Sequence, residues 1–164
     1  DDAALRPILT AAARTPDHGK LEPWRFVVLR GAALARLGAA VAARGAALGK
    51  SEEDIAKARR TYDTSPLAVA VIESPKASAK IPAIEQTWSA GAACLALLNA
   101  ALAAGWGANW LTGWPSHDRG WAEGALGCAP HERVVGLVHI GTESATPPDR
   151  PRPDLDAIVT WVSE

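Results

Sequence analysis

The sequence predicts an α+β or α/β sandwich, and three observations carry that prediction. Three apolar runs rich in β-branched residues, "WRFVVLR", "LAVAVIES" and "RVVGLVHIG", have strand character. Segments with helical apolar spacing and quite different lengths separate them, which suits helices packed on a sheet. At 164 residues, with no internal repeat and no break in composition, the chain is expected to form one domain over residues 1–164.

Taken in order, Ala3 to Arg14 reads as a helix. Asp1 or Asp2 caps it, and Ala3, Leu5, Ile8, Leu9, Ala12 and Ala13 form its apolar stripe. Pro7 falls in the first turns, where its missing N–H does least harm, and Thr15-Pro16 ends the helix because a residue before proline avoids the α region. "WRFVVLR" from Trp24 follows as a strand. Ala32 to Leu48 is an Ala-rich amphipathic helix, and Glu52 to Tyr62 is a charged, largely solvated one. "LAVAVIES" lies between Pro66 and Pro75 as a continuous apolar run, the signature of a strand covered on both faces, with a loop to Pro82 after it. Ile84 to Ala104 is the longest helix. Its middle, "SAGAACLALLNAALAA", is apolar nearly all round, so the helix is expected to be central and buried, with a second subunit as one way to complete its cover. "GWGANWLTGWP" comes next, then a short helix from Asp118 to Leu126 and the strand ending at Gly141. The tail from Thr142 to Pro153 is irregular, and "LDAIVTWV" returns to β-like character.

Composition narrows the partners. The 17 Lys and Arg against 18 Asp and Glu give no basic excess, so a nucleic-acid partner is not expected. No apolar run approaches the roughly 18–20 residues of a membrane span. Cys94 and Cys128 are too few for a disulfide framework and suit a reducing cytoplasm. The Asp1-Asp2 start without Met leads us to expect a segment upstream. Trp supplies seven of nine aromatic residues, a bias that favours planar ligands weakly and core packing by default.

Two loops concentrate chemistry. "ARTPDHGKLEPW" places Arg14, a planar donor fork, and His18, with two ring nitrogens, in a helix-stop turn before a strand. A favourable cation at a helix C-terminus and a solvated loop histidine explain the same residues without a ligand. "GWGANWLTGWP" has glycines that let backbone N–H groups reach a ligand, interleaved with indoles. It is neither a dinucleotide fingerprint nor a P-loop, and a helix stop followed by a core strand accounts for it equally. Cys128, His131, His117, Asp118 and His139 lack zinc spacing, so no metal is expected. Ser65, Ser89 and Ser116 lack a nucleophile elbow.

In order, "RTPDHGKLEPWRFVVLRG", "EQTWSAGAACLALLNAALAAGWGANWLTG" and "VVGLVHIGT" resemble the short bacterial NAD(P)H nitroreductases that bind flavin mononucleotide (FMN), over nearly the whole chain. That resemblance implies an α+β three-layer sandwich with a mainly antiparallel central sheet flanked by helices. It also implies an intertwined homodimer with two flavins in clefts between subunits. Arg14 and His18 would then reach a flavin, often the partner's. Trp110, Leu111 and Thr112 would contact the ring and ribityl chain, and Ser89 to Ala93 would form dimer core. The family's Arg-rich flavin-phosphate element precedes Asp1, and the family often has Asn where this chain has His18. Arg150 and Arg152 lie where basic residues sometimes hold the phosphate, but they align poorly and are left unassigned.

The implied activity is a ping-pong oxidoreductase, with hydride passing from NAD(P)H to FMN and on to a nitroaromatic, quinone or similar planar acceptor. The protein's part is stacking, orientation and donors aimed at developing charge, and no side chain is assigned as an obligatory acid or base. A flavin carrier or sensor with little turnover, and a structural dimer without cofactor, are the alternatives.

Overall fold

The computed structural model describes residues 1–164. Helix α1 spans Asp2–Ala12, with the Asp1 carboxylate accepting the Ala4 N–H at 2.8 Å. Strand β1 (Trp24–Arg30) precedes α2 (Ala32–Ala47) and α3 (Glu52–Thr64), whose start is capped by the Ser51 hydroxyl. Strand β2 (Leu67–Glu73), helix α4 (Ala83–Ala103) and strand β3 (Gly107–Leu111) follow. Two short helices, α5 (Trp114–His117) and α6 (Arg119–Leu126), lead into β4 (Arg133–Gly141). The tail carries only one turn of helix, α7 (Leu155–Ile158).

The four strands form one antiparallel sheet in the order β1-β2-β4-β3. Central strand β2 alternates between two cores, as period-two side chains must. Ala68, Ala70 and Ile72 join Leu34, Leu37, Val41, Tyr62 and Trp121 from the α2, α3 and α6 side. Val69 and Val71 join Leu5, Ile8, Cys94, Leu97 and Val138 on the α1 and α4 side. The architecture is therefore helices, sheet, helices: an α+β sandwich of three layers. Each fully buried Leu or Val contributes roughly 1.5–3 kcal/mol of apolar transfer. Between Val71 and Ile72 the pairing with β4 slips by one residue, so that Val135 bulges out.

Two expectations change. Helix α4 is not covered on every side within the chain, because the sheet and α1 reach only one flank. Trp88 is 65% exposed and Leu95 48%, with Ile84 and Leu102 beside them. In the expected dimer-core segment, Ser89, Ala90 and Ala93 pack inside their own chain, and only Gly91 and Ala92 are less covered. The β-like tail "LDAIVTWV" forms no strand: Trp161 and Val162 are exposed, and the alternation there finds no neighbouring edge to pair with.

Candidate functional site

Where β3 ends, two clefts meet. Helix α4 stops at Gly105, whose φ of 83° needs glycine, and the chain turns into β3 at the sheet edge. Facing residues Asn109 and Leu111 pair with His139 and Leu137 on the side of the sheet that carries α3. The first cleft, of about 460 Å³, runs between Lys57, Arg60 and Thr61 of α3 and Leu111, Thr112, Gly113 and Trp114. The second, of about 900 Å³, continues from Thr61 and Leu111 past Asn109 and His139 to Arg150. Sharing Thr61 and Leu111, they make one trough along the edge of β3.

The trough has an apolar floor with polar groups left over. Trp114 Nε1 and His139 Nδ1 are buried without a hydrogen-bond partner. Burial holds the His139 imidazole below its usual range, so the ring is neutral at neutral pH and meets the Tyr62 ring edge-on at 6.0 Å. Burial also pushes the Tyr62 hydroxyl well up, and it stays protonated. Lys57 and Arg60 make one end cationic, whereas Arg150 at the other end lies beside the acids Glu143 and Asp149. Lys50 lies 5.0 Å from the centre of the Trp114 ring and steadies that wall.

The residues singled out from sequence divide three ways. Leu111 and Thr112 line the trough. Trp110 does not, because strand alternation turns it to the opposite face, where its indole covers Gly136 and packs on the α1 and α4 core. Arg14 and His18 line neither cleft. Arg14 is exposed just beyond α1, and His18 is exposed in a turn whose Nδ1 bonds Glu85 at 2.7 Å at the start of α4. Within one chain, then, the two loops do not share a cleft. Lys57, Arg60, Asn109, Trp114 and His139 went unassigned, and Arg150 was set aside. The i, i+3, i+4 stripe of Lys57, Arg60 and Thr61 was visible in the sequence, but nothing local distinguishes it from a solvated helix face.

The nitroreductase family model matches residues 1–142. The chain belongs to the nitroreductase family. Among curated proteins, this nitroreductase is 35% identical over 138 residues to "Putative NAD(P)H nitroreductase YdjA" of Escherichia coli K12, covering 84% of this chain and 75% of that one. It is 35% identical over 144 residues to a protein of like description from Haemophilus influenzae, with the same coverage of 84% and 75%. In three dimensions it resembles the nitroreductase-like protein of Bacillus cereus with a TM-score of 0.81 at 22% identity, over 99% of this chain and 85% of that one. It also resembles the FMN and NADPH-dependent nitroreductase NfnB of Sphigopyxis sp. strain HMH, with a TM-score of 0.76 at 20% identity, over 99% and 90% of the two chains. The family is one of oxidoreductases, and the three-layer fold is its fold. No helix of this nitroreductase is long and apolar enough to cross a membrane.

Proposed function

We propose that this nitroreductase is an FMN-dependent NAD(P)H oxidoreductase acting on planar acceptors such as nitroaromatics or quinones, with the flavin held in the trough between α3 and β3. The trough itself carries the reading. Its two parts, about 460 and 900 Å³, are each of the size of a ligand site, roughly 300–1,000 Å³. Its donors suit a flavin nucleotide. Lys57 and Arg60 bound one end, where ring carbonyls would need donors. NfnB is an FMN and NADPH-dependent nitroreductase, and the Escherichia coli relative carries an NAD(P)H nitroreductase name.

Bound there, FMN supplies the two-electron chemistry that moves reducing equivalents from NAD(P)H to the acceptor in separate half-reactions. The chain's own residues do the rest. Leu111 and the Trp114 wall shape a flat slot and keep water from one face, while Thr112 and Gly113 present exposed backbone at its mouth. Lys57 and Arg60, with Asp54 as the one acid among the lining residues, make that end positive, which favours charge built up on reduction. Asn109 and neutral His139 offer hydrogen bonds along the trough between its two ends.

Two copies complete the reading. The exposed side of α4, with Ile84, Trp88, Leu95 and Leu102 at four- and seven-residue spacing, is an apolar seam that suits a second copy of the chain. His18, bonded to Glu85 at the start of α4, lies beside that helix with Arg14 four residues earlier, so in a homodimer both would extend toward the partner's trough.

Purified protein tests the reading. It should retain yellow flavin, and anaerobic NADPH should bleach it. Colour that persists with NADPH would indicate a carrier, and no flavin uptake after reconstitution would sink the proposal. Arg14→Ala and His18→Ala should each weaken flavin retention with the dimer intact, and wild-type retention in both would remove them from the site.

A further inference from the structure

The loop that carries His18 is held in place by one face of α4. Three contacts do this, at Ile81, Glu85 and Ser89. The latter two lie on the helix four residues apart, so they stack on one side, and Ile81 continues the line just before the first turn. Ser89 Oγ donates to the Pro16 carbonyl at 2.7 Å, across 73 residues of sequence. Gly19 packs directly on Ile81, so closely that a Cβ there would overlap the isoleucine, and its φ of 72° also demands glycine. Between these two anchors, Glu85 Oε2 meets His18 Nδ1 at 2.7 Å. The turn is braced from within as well, since the Asp17 carboxylate accepts the Glu22 N–H at 2.8 Å, and Lys20 and Glu22 hold positive φ. A solvated loop does not need this much fixing.

We propose that Glu85 is a positioning residue for His18, and that it sets which ring nitrogen faces the ligand. The inference rests on His18 meeting a flavin. A carboxylate oxygen at this distance can only accept, so the neutral ring must carry its proton on Nδ1. Nε2 is then the nitrogen that Glu85 leaves free. With the backbone pinned at Pro16 and Gly19, and the ring pinned through Nδ1, a flexible side chain becomes a directed one. An Asn at this position would have an amide that offers both a donor and an acceptor and would need no such partner. Histidine needs its tautomer chosen for it, and Glu85 chooses it.

The charged groups around the pair are few. The loop brings Asp17, Lys20 and Glu22, and α4 brings Glu85 alone in its first turn. Asp17 is occupied with the Glu22 N–H, so Glu85 is the carboxylate in contact with the ring. Both side chains are partly exposed, at 60% and 35%, so the expected effect is modest.

A double-mutant cycle with the full chain tests this. FMN retention is read by fluorescence titration, and the His18 tautomer by long-range ¹H–¹⁵N correlation in the flavin-free protein. Glu85→Ala should weaken FMN binding about two- to fivefold. Glu85→Ala added to His18→Ala should weaken it no further, and Glu85→Ala in a His18→Asn background should have no effect. In flavin-free Glu85→Ala the neutral ring should lose its preference for the Nδ1–H form. Glu85→Gln, which keeps shape and one acceptor, should retain part of that preference and guards against a folding defect. If His18→Ala weakens FMN binding but Glu85→Ala does not, or if the tautomer is unchanged in Glu85→Ala, the positioning role is wrong. If His18→Ala leaves FMN binding unchanged while the tautomer does follow Glu85, the flavin assignment fails and the ligand role falls with it.

Discussion

Glu132→Gln should cost this nitroreductase about 2 kcal/mol of stability at neutral pH, with a loss that fades in acid. Glu132 is buried at the turn before β4, and its two oxygens accept from Arg25 Nε at 2.8 Å and Nη2 at 2.6 Å. The Ala129 N–H adds a third bond at 2.9 Å. The Arg25 guanidinium, and then the Ala129 N–H, hold the carboxyl at about 2 instead of the usual 4.5, against the opposing effect of burial. At about 1.4 kcal/mol per pH unit this corresponds to roughly 3 kcal/mol at pH 7. The Arg25 side chain is 36% exposed, so screening by water reduces the figure to the 2 kcal/mol or so expected. The sign follows from the direction: a depressed carboxylate stabilises above its unfolded value near 4.5, and that stability drains as pH falls toward 2. Urea unfolding of both proteins at pH 7, 4 and 3 checks it, with more than half of the difference gone at pH 3. A gap that stays constant with pH, or one below about 0.5 kcal/mol at pH 7, would refute the charge argument.

Two further predictions concern the sheet edge and the α4 seam. Gly136→Ala places a methyl group against the Trp110 indole and should destabilise by roughly 1–3 kcal/mol in urea, with Trp110→Ala in the same chain recovering part of it. No change in stability would mean that the indole does not cover Gly136 in solution. Leu95→Glu falls on an exposed position, so it should leave the subunit's own stability within about 0.5 kcal/mol. If α4 is the dimer seam, sedimentation should show this variant as a monomer, and an unshifted dimer would move the interface elsewhere.

Much of the fold could be read from local pattern. "WRFVVLR", rich in β-branched and aromatic residues, and the unbroken apolar run "LAVAVIES" read as strands, and they form Trp24–Arg30 and Leu67–Glu73. The stops are legible too: the residue before Pro16 avoids the α region for steric reasons, and Gly105 takes the positive φ that ends α4. The short helix α5 was not seen, since four residues beginning with Trp-Pro carry no period at all. The tail fails for the opposite reason: its β-like character is present, but a strand needs a partner, and residues 155–162 pair with neither free edge of the sheet.

The site shows the same division. Composition and order by themselves determined that two loops hold the ligand-capable groups, and the family resemblance named Arg14, His18, Trp110, Leu111 and Thr112. Tertiary structure decided which of these can act together. Trp110 and Leu111 are adjacent in sequence, yet they face opposite sides of a sheet whose two covers only folding assigns. Lys57 looked like a solvated charge until α3 was laid beside β3. Glu85 lies in the first turn of α4, where a carboxylate suits the helix dipole by itself, and its contact with a loop 67 residues away exists only in the fold. Sequence fixes what each side chain can donate, accept or bury, because that is covalent chemistry. Which partner it meets depends on long-range packing, and no local window contains that information.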